Sequence, residues 1–492
     1  LGQEIGLKFQ EEIEMNKHIP IITLLAMILV IIAACAPAPT PVPTAAPPTA
    51  APKPAEPTKA PVAEPTKPPA PTTAPTAAPT VAPTVAPPQP LVFLSTQLTP
   101  VEEQEKMRNI ILKDFTGAKA EFVSDAEGVV VDRVLAEQKA GKVNVGVVGL
   151  LHGTFPNLLA ANTLEDLTPL VAKLSDRPIV KEFLTLGKLG TDKQYYIPWM
   201  QATYIMVVNK KALQYLPAGA NVDSLTYTQL AEWGKNITAA TKEKKIGFPA
   251  GPSGLMHRLT QGYLYPSYTG GLVTTYRSDD AVKMWTDFKA IWEYTNPQSV
   301  TYNNMQDPLL SEEVWIAIDH TARVVNAFKN KPNDFIGAPA PAGPKGRYYM
   351  SVLAGLGIPK GSPNRAGAEA IIEYLTRPAV QAVTLREVSF YPVLESALPT
   401  NLPDYVRLEA DGVVKQSKAS DAKVALLPIG LGAKGGDFNK IMQDTLTRIV
   451  LKNEDIKTVL NDQANQLNAL MNELKAPCWS PDPASTGACQ AK

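Results

Sequence analysis

"LVFLSTQLTPVEEQEKMRNIILKDFTGAKAEFVSDAEGVVVDRVLAEQKAGKVNVGVV", from Leu91 to Val148, decides the fold class. It opens on "LVFL", a short apolar strand candidate. Between Glu102 and Phe115, residues Met107, Ile110, Ile111 and Phe115 recur at helical spacing and share one face. "AKAEFV" reads as a second strand, Val131 to Lys139 as a helix, and "VNVGVV" as a third strand. Strands alternating with helices predict parallel βαβ units and an α/β class. Further on, helical patterns dominate, at 226–241, 279–295, 366–375 and 437–451. Leu460, Ala464, Leu467, Met471 and Leu474 form a final helical stripe.

Upstream of Leu91 the composition is different. Met15-Asn16-Lys17-His18 is a short basic start to an apolar run, Ile19 to Ala34, that stops at Cys35. The run contains Pro20 and falls short of the roughly 20 residues a spanning helix needs. A basic start, an apolar middle and small residues at the end describe a secretory signal. Residues 1–14 fit no part of it and are expected to be an upstream extension, with Met15 as the start. Ile32-Ala33-Ala34-Cys35 resembles the lipobox of bacterial lipoproteins, which implies cleavage before Cys35 and lipid attachment to its thiol. Twenty of the 46 prolines then fall in the 35–90 stretch, which has no aromatic residue. Such a segment cannot bury enough apolar surface to offset chain entropy and is expected to be a Pro/Thr/Ala linker.

Lysine plus arginine and aspartate plus glutamate balance at 47 each, so bulk charge does not favour nucleic acid. Three cysteines in 492 residues exclude a disulfide scaffold. Cys478 and Cys489 lie past the last helical pattern, in the 475–492 tail. After export they are candidates for a disulfide, with two free thiols as the alternative.

Motifs for catalysis are weak. Gly430-Leu431-Gly432-Ala433-Lys434-Gly435 matches GxGxxG, but a dinucleotide fingerprint needs a following strand, and only helical pattern follows. It reads as a glycine-rich turn. "GPSGL" at Gly251 misses the nucleophile elbow, having Leu255 where glycine is required. The four histidines show no metal-ligand spacing, so no metal and no cofactor are expected.

Four aromatic, hydroxyl-rich segments stand out: "YYIPWMQATYIMVVNKKAL" from Tyr195, "GFPAGPSGLMHRLTQGYLYPSYTGG" from Gly247, "DPLLSEEVWIAIDHTARVVNAF" from Asp307 and "APAPAGPKGRYYMSVLAGLGIPKGSPN" from Ala338. Together with "LEDLTPLV" and "AGAEAIIEYLTRPAVQ" they resemble the carbohydrate-type extracellular solute-binding proteins of bacterial ABC importers. The resemblance implies a two-lobed α/β fold of the periplasmic-binding-protein kind (type II), with a ligand cleft between lobes joined by hinge crossovers. One lobe is expected over about 91–200 and 353–390, the other over about 204–350 and 394–474. Where the family usually has an aspartate, this chain has Asn144.

The same resemblance implies a sugar ligand, delivery to permease subunits, a monomer held at the membrane by its lipid, and no catalysis. Capture of a non-sugar solute, and a secreted polysaccharide hydrolase, stand as alternatives. A sugar offers hydroxyls and one apolar ring face, so it calls for carboxylates, guanidinium groups and amides at its rim and a flat aromatic on its face. Trp199, Tyr204 and Trp315 are the candidates for the face. Gln97, His152, Gln201, His257, Asp319, His320 and Arg323 are those for the rim, with the backbone of Gly355 close by. The competing readings make Trp315 core, leave His257 and Arg258 on the surface, and turn Asp319, His320 and Arg323 into an internal network.

Overall fold

The computed structural model describes residues 90–395 and 398–492. The expected signal, Cys35 and the linker through Gln89 lie outside the described residues. β1 (Pro90–Ser95) pairs in parallel with both β2 (Lys119–Ser124) and β3 (Val145–Leu151). Helix Val101–Lys106, extended by the wider turn Met107–Ile111, connects the first two strands; helix Glu127–Lys139 connects the second to the third. Met107 and Ile111 are buried on the predicted face, and β3 is buried through Leu150, as a central strand covered on both sides must be.

The chain then runs through β4 (Ile197–Ala202), and after Thr203 it enters a second sheet as β5 (Tyr204–Asn209). That sheet has the order β6 (Ile246–Gly247), β7 (Ile316–His320), β5, β8 (Phe335–Ala338). Helices Tyr227–Thr241 and Asp279–Trp292 pack beside it and bury Trp233 and Trp285 completely. Both start on strong caps: Thr226 and Gln229 form a reciprocal capping box, and the Ser278 side chain accepts from the Ala281 N–H.

β9 (Arg347–Gly357) returns to the first sheet, whose order is β10 (Ala422–Leu426), β9, β3, β1, β2, with β4 also on β9. Arg347–Ser351 of β9 ladders with β10, and Val352–Gly357 ladders with β4 and β3. The change of partner falls beside Thr203. The Thr203 hydroxyl donates to the Met350 carbonyl at 2.9 Å and shares a hydrogen bond with the Tyr263 hydroxyl at 2.9 Å. Gln201 and Tyr391 exchange backbone hydrogen bonds at the same level.

After β10 the glycine-rich turn carries positive φ at Gly430 and Gly432 and leads into helix Gly435–Leu446. β10 is the last strand among the described residues, so this turn has no dinucleotide unit around it. Helix Ile456–Leu474 is followed by a tail closed by a Cys478–Cys489 disulfide. Within it, the buried Asp482 carboxylate accepts from the N–H groups of Leu272, Val273 and Thr274 and from the Thr274 hydroxyl. Among the described residues no helix is long and apolar enough to cross a membrane.

Candidate functional site

The carboxyl ends of β1 and β3 lead into the segments 96–100 and 152–154, where open α/β sheets receive their ligands. Facing them are the start of β5 and the end of β7. Tyr204 and His320 are register partners there and meet edge to face, ring centres 5.2 Å apart. Between the two walls lies a cavity of about 230 Å³. Thr96, Gln97, Thr99 and Glu103 line it from the first wall, and Tyr204, Arg258, His320 and Arg323 from the second. Val352 and Phe390 line it beside the crossings. A neighbouring cavity of about 290 Å³, with Lys106 and Asn326, shares Glu103 and Arg323 with it. On another side Gly153 comes so close to the Pro428 carbonyl that a Cβ would have no room.

Burial sets the charge states. The Glu103 carboxyl is pushed up to about 7 by burial, against the pull of Arg323 and Lys106. His320 is held down to about 3 by burial and then by Arg323; its Nδ1 accepts from the Ala322 N–H at 3.2 Å and so is unprotonated. His257 is held down to about 3 by burial and by the charges of Arg258 and Arg323. The Tyr204 hydroxyl is pushed above its usual range by the same desolvation.

Of the sequence candidates, Gln97, Tyr204, His320 and Arg323 line the cavity. The others do not, for local reasons. Trp199 is fully buried against Phe93, 5.4 Å between rings, because it sits at a bulge between Pro198 and Met200 that turns its indole into the core. Trp315 lies just before β7, at the end opposite His320, where it stacks on Tyr215 and carries Lys245 over its ring at 5.4 Å. Asp319 points to the face opposite its neighbour His320, beside Ile205, and is 0 % exposed. Its carboxylate accepts from the Met305 N–H at 3.0 Å and the His320 N–H at 2.7 Å, and burial pushes it up to about 7.

His152 bonds the Tyr196 hydroxyl at 2.9 Å and is held down to about 4 by burial. Gln201 donates to the Pro392 carbonyl at 2.9 Å and lines a separate cavity with Thr203, Ser351 and Gln416. His257 is buried next to Arg258 with Nδ1 unpartnered among the described residues. Gly355 lies under the Tyr196 ring, inside the first sheet. Sequence reasoning did not choose Arg258, Glu103, Thr96 or Thr99. Arg258 had one signal, its place beside His257 in a segment already marked; Glu103 looks like any acidic residue in a first helical turn. Among the described residues no group of three or more His, Cys, Asp or Glu is placed to hold a metal.

Two sheets and a polar cavity walled by both define a two-lobed α/β binding protein. Residues 100–382 match the model of the family described as bacterial extracellular solute-binding protein, and the chain belongs to it. Comparison with curated protein sequences gives no match. Among solved structures, the GacH receptor of Streptomyces glaucescens, solved unliganded and with acarbose, is 16 % identical, with a TM-score of 0.60 over 79 % of this chain and 100 % of that one. Maltose-bound MalE3 of T. maritima is 16 % identical, TM-score 0.61, covering 77 % and 99 %. UgpB of Mycobacterium tuberculosis, in complex with glycerophosphocholine, is 17 % identical, TM-score 0.61, covering 78 % and 98 %. These are binding proteins, and at such identities the likeness is one of fold.

Proposed function

We propose that the protein captures a carbohydrate outside the cell and hands it to the permease of an ABC importer. It acts as a monomer without catalysis, with Cys35 as the lipid anchor and the stretch to Pro90 as the tether. The observation that carries this reading is a cavity bounded by both sheets, with an amide and hydroxyls from the first wall and a phenol, an imidazole and two guanidinium groups from the second. A ligand seated there touches both walls only when they are close, so binding favours closure. Gln97, Tyr204, His320 and Arg323 touch the solute, joined by Thr96, Glu103 and Arg258; Asp319 and His257 position the second wall. The related folds solved with acarbose and maltose support a carbohydrate.

Calorimetry on the full chain against mono- and oligosaccharides tests the proposal. One sugar should bind with a stoichiometry of one and raise the melting temperature, by the equivalent of about 2.7 kcal/mol at a hundredfold excess over Kd. Gln97→Ala should weaken it roughly five- to tenfold. Silence across the whole panel would end the carbohydrate reading. For the anchor, fatty-acid labelling should mark the wild type and leave Cys35→Ser unlabelled.

A further inference from the structure

The second wall of the cavity holds two guanidinium groups that the protein leaves largely unanswered. Arg323 uses Nη1 alone, donating to the carbonyls of Asn303 at 2.8 Å and Ser253 at 3.2 Å. Arg258 likewise uses only Nη1, toward Gln261 Oε1 at 3.1 Å. Among the described residues neither has a carboxylate within ion-pair distance. Arg365, with Glu165 and Glu369, and Arg448, with Glu454 and Asp462, do; exposed Arg277 and Arg377, like the cavity pair, do not. Asp319, on the other face of β7, is occupied by two backbone N–H groups. Among the described residues each cavity arginine therefore keeps its Nε–Nη2 edge free, and that edge matches two oxygens of one anion.

Their separation from other charges reinforces the point. Both guanidinium groups lie near enough to Tyr204 and His257 for their charge to act on those rings. Among the described residues the only carboxyl lining the cavity is Glu103, on the opposite wall; burial raises it to about 7 against the pull of Arg323. A neutral sugar would offer its hydroxyls to these N–H groups and leave both charges without a counter-ion. An ionised group brought by the ligand would answer both.

We propose that the captured solute carries an anionic group, a carboxylate or a phosphate ester, held between the free edges of Arg258 and Arg323. This deepens the cleft reading given above and rests on it. The full chain would be titrated with neutral glucose and maltose, with glucuronate and oligogalacturonate as the carboxylate arm, and with glucose 6-phosphate and glycerol 3-phosphate as the phosphate arm. The arm that binds identifies the group. Arg258→Met and Arg323→Met should each weaken that ligand at least about tenfold, and rising salt should weaken the wild type further. Arg258→Lys and Arg323→Lys, which keep the charge and lose the fork, should fall between. Arg277→Met, a surface change, is the control, and melting curves confirm that each variant folds.

Neutral sugars that bind tightly, with affinity unmoved in both methionine variants, would overturn the anion inference and leave carbohydrate capture standing. Binding of glycerol 3-phosphate with no response to any sugar would support the anion site and remove the carbohydrate reading. No binding by any member of the panel would overturn both.

Discussion

Asp482 in the tail and the arginine pair in the cleft are charged groups drawn away from water on opposite terms. Asp482 is 5 % exposed, and three backbone N–H groups and a hydroxyl converge on its carboxylate. Arg258 and Arg323 are half-buried, bond through one nitrogen each, and have no counter-ion among the described residues. Both regions are ordered by polar contacts, yet only the tail closes its own account of donors and acceptors. A completed set marks a group that holds the fold together. An incomplete set on a cavity wall marks one that waits for something else.

That contrast breaks most visibly at Asp482. Asp482→Ala strands several inward-facing N–H groups and should cost about 3–5 kcal/mol in urea unfolding, with ligand affinity of the surviving folded protein unchanged. A loss below about 1 kcal/mol would mean that water satisfies those amides and the nest is not structural. The disulfide comes next. Cys478 and Cys489 are 11 residues apart, and opening so short a loop by Cys478→Ser with Cys489→Ser should cost about 2–3 kcal/mol, again without touching affinity.

Asp319 stands between the two extremes, structurally satisfied and adjacent to the cleft. Asp319→Asn keeps one carbonyl oxygen for two N–H donors and should cost roughly 1–2 kcal/mol at low pH. Burial pushes its folded carboxyl up to about 7, above the 3.8 of a free aspartate. The folded form therefore holds a proton that the unfolded chain has released between those values. The resulting stability is fully present below about 3.8 and is lost as pH rises toward about 7. Unfolding measured at pH 4, 5.5 and 7 should show the gap between wild type and asparagine variant narrowing as pH rises. A gap that widens would contradict the burial-driven shift. The smallest stability effect belongs to the arginines: Arg323→Met should change unfolding by less than about 1 kcal/mol, since few bonds are lost. A larger loss would move Arg323 to the structural side of the comparison.

How far the sequence reached follows the same division. The alternation from Leu91 to Val148 was readable because strand and helix periods are local, and its three strands pair in parallel as that pattern requires. The site was read in part. "IDH" announces a polar pair at the end of β7, but only the sheet's registration decides that His320 joins Tyr204 while Asp319 turns to the far side. A one-residue parity is invisible without knowing which face meets the cavity. Trp199 is turned away from the cavity by a bulge, and bulges leave no composition signal. Trp315 lies at the far end of its strand, and aromatic character does not tell one end of a strand from the other. Arg258 could be distinguished from a surface arginine only by its missing partner, which is a property of three dimensions.

β9 gives the molecule a mechanical character of its own. Eleven residues run without interruption past Thr203, stitched to β10 on one stretch and to β4 and β3 on the next. Sliding one half of the molecule over the other would tear both seams at once, whereas turning about the few peptide units near Ser351 would tear neither. On the proposed capture mechanism, closure is a turn about this strand rather than a slide across it, and a bulkier guest would hold the two walls at a wider angle.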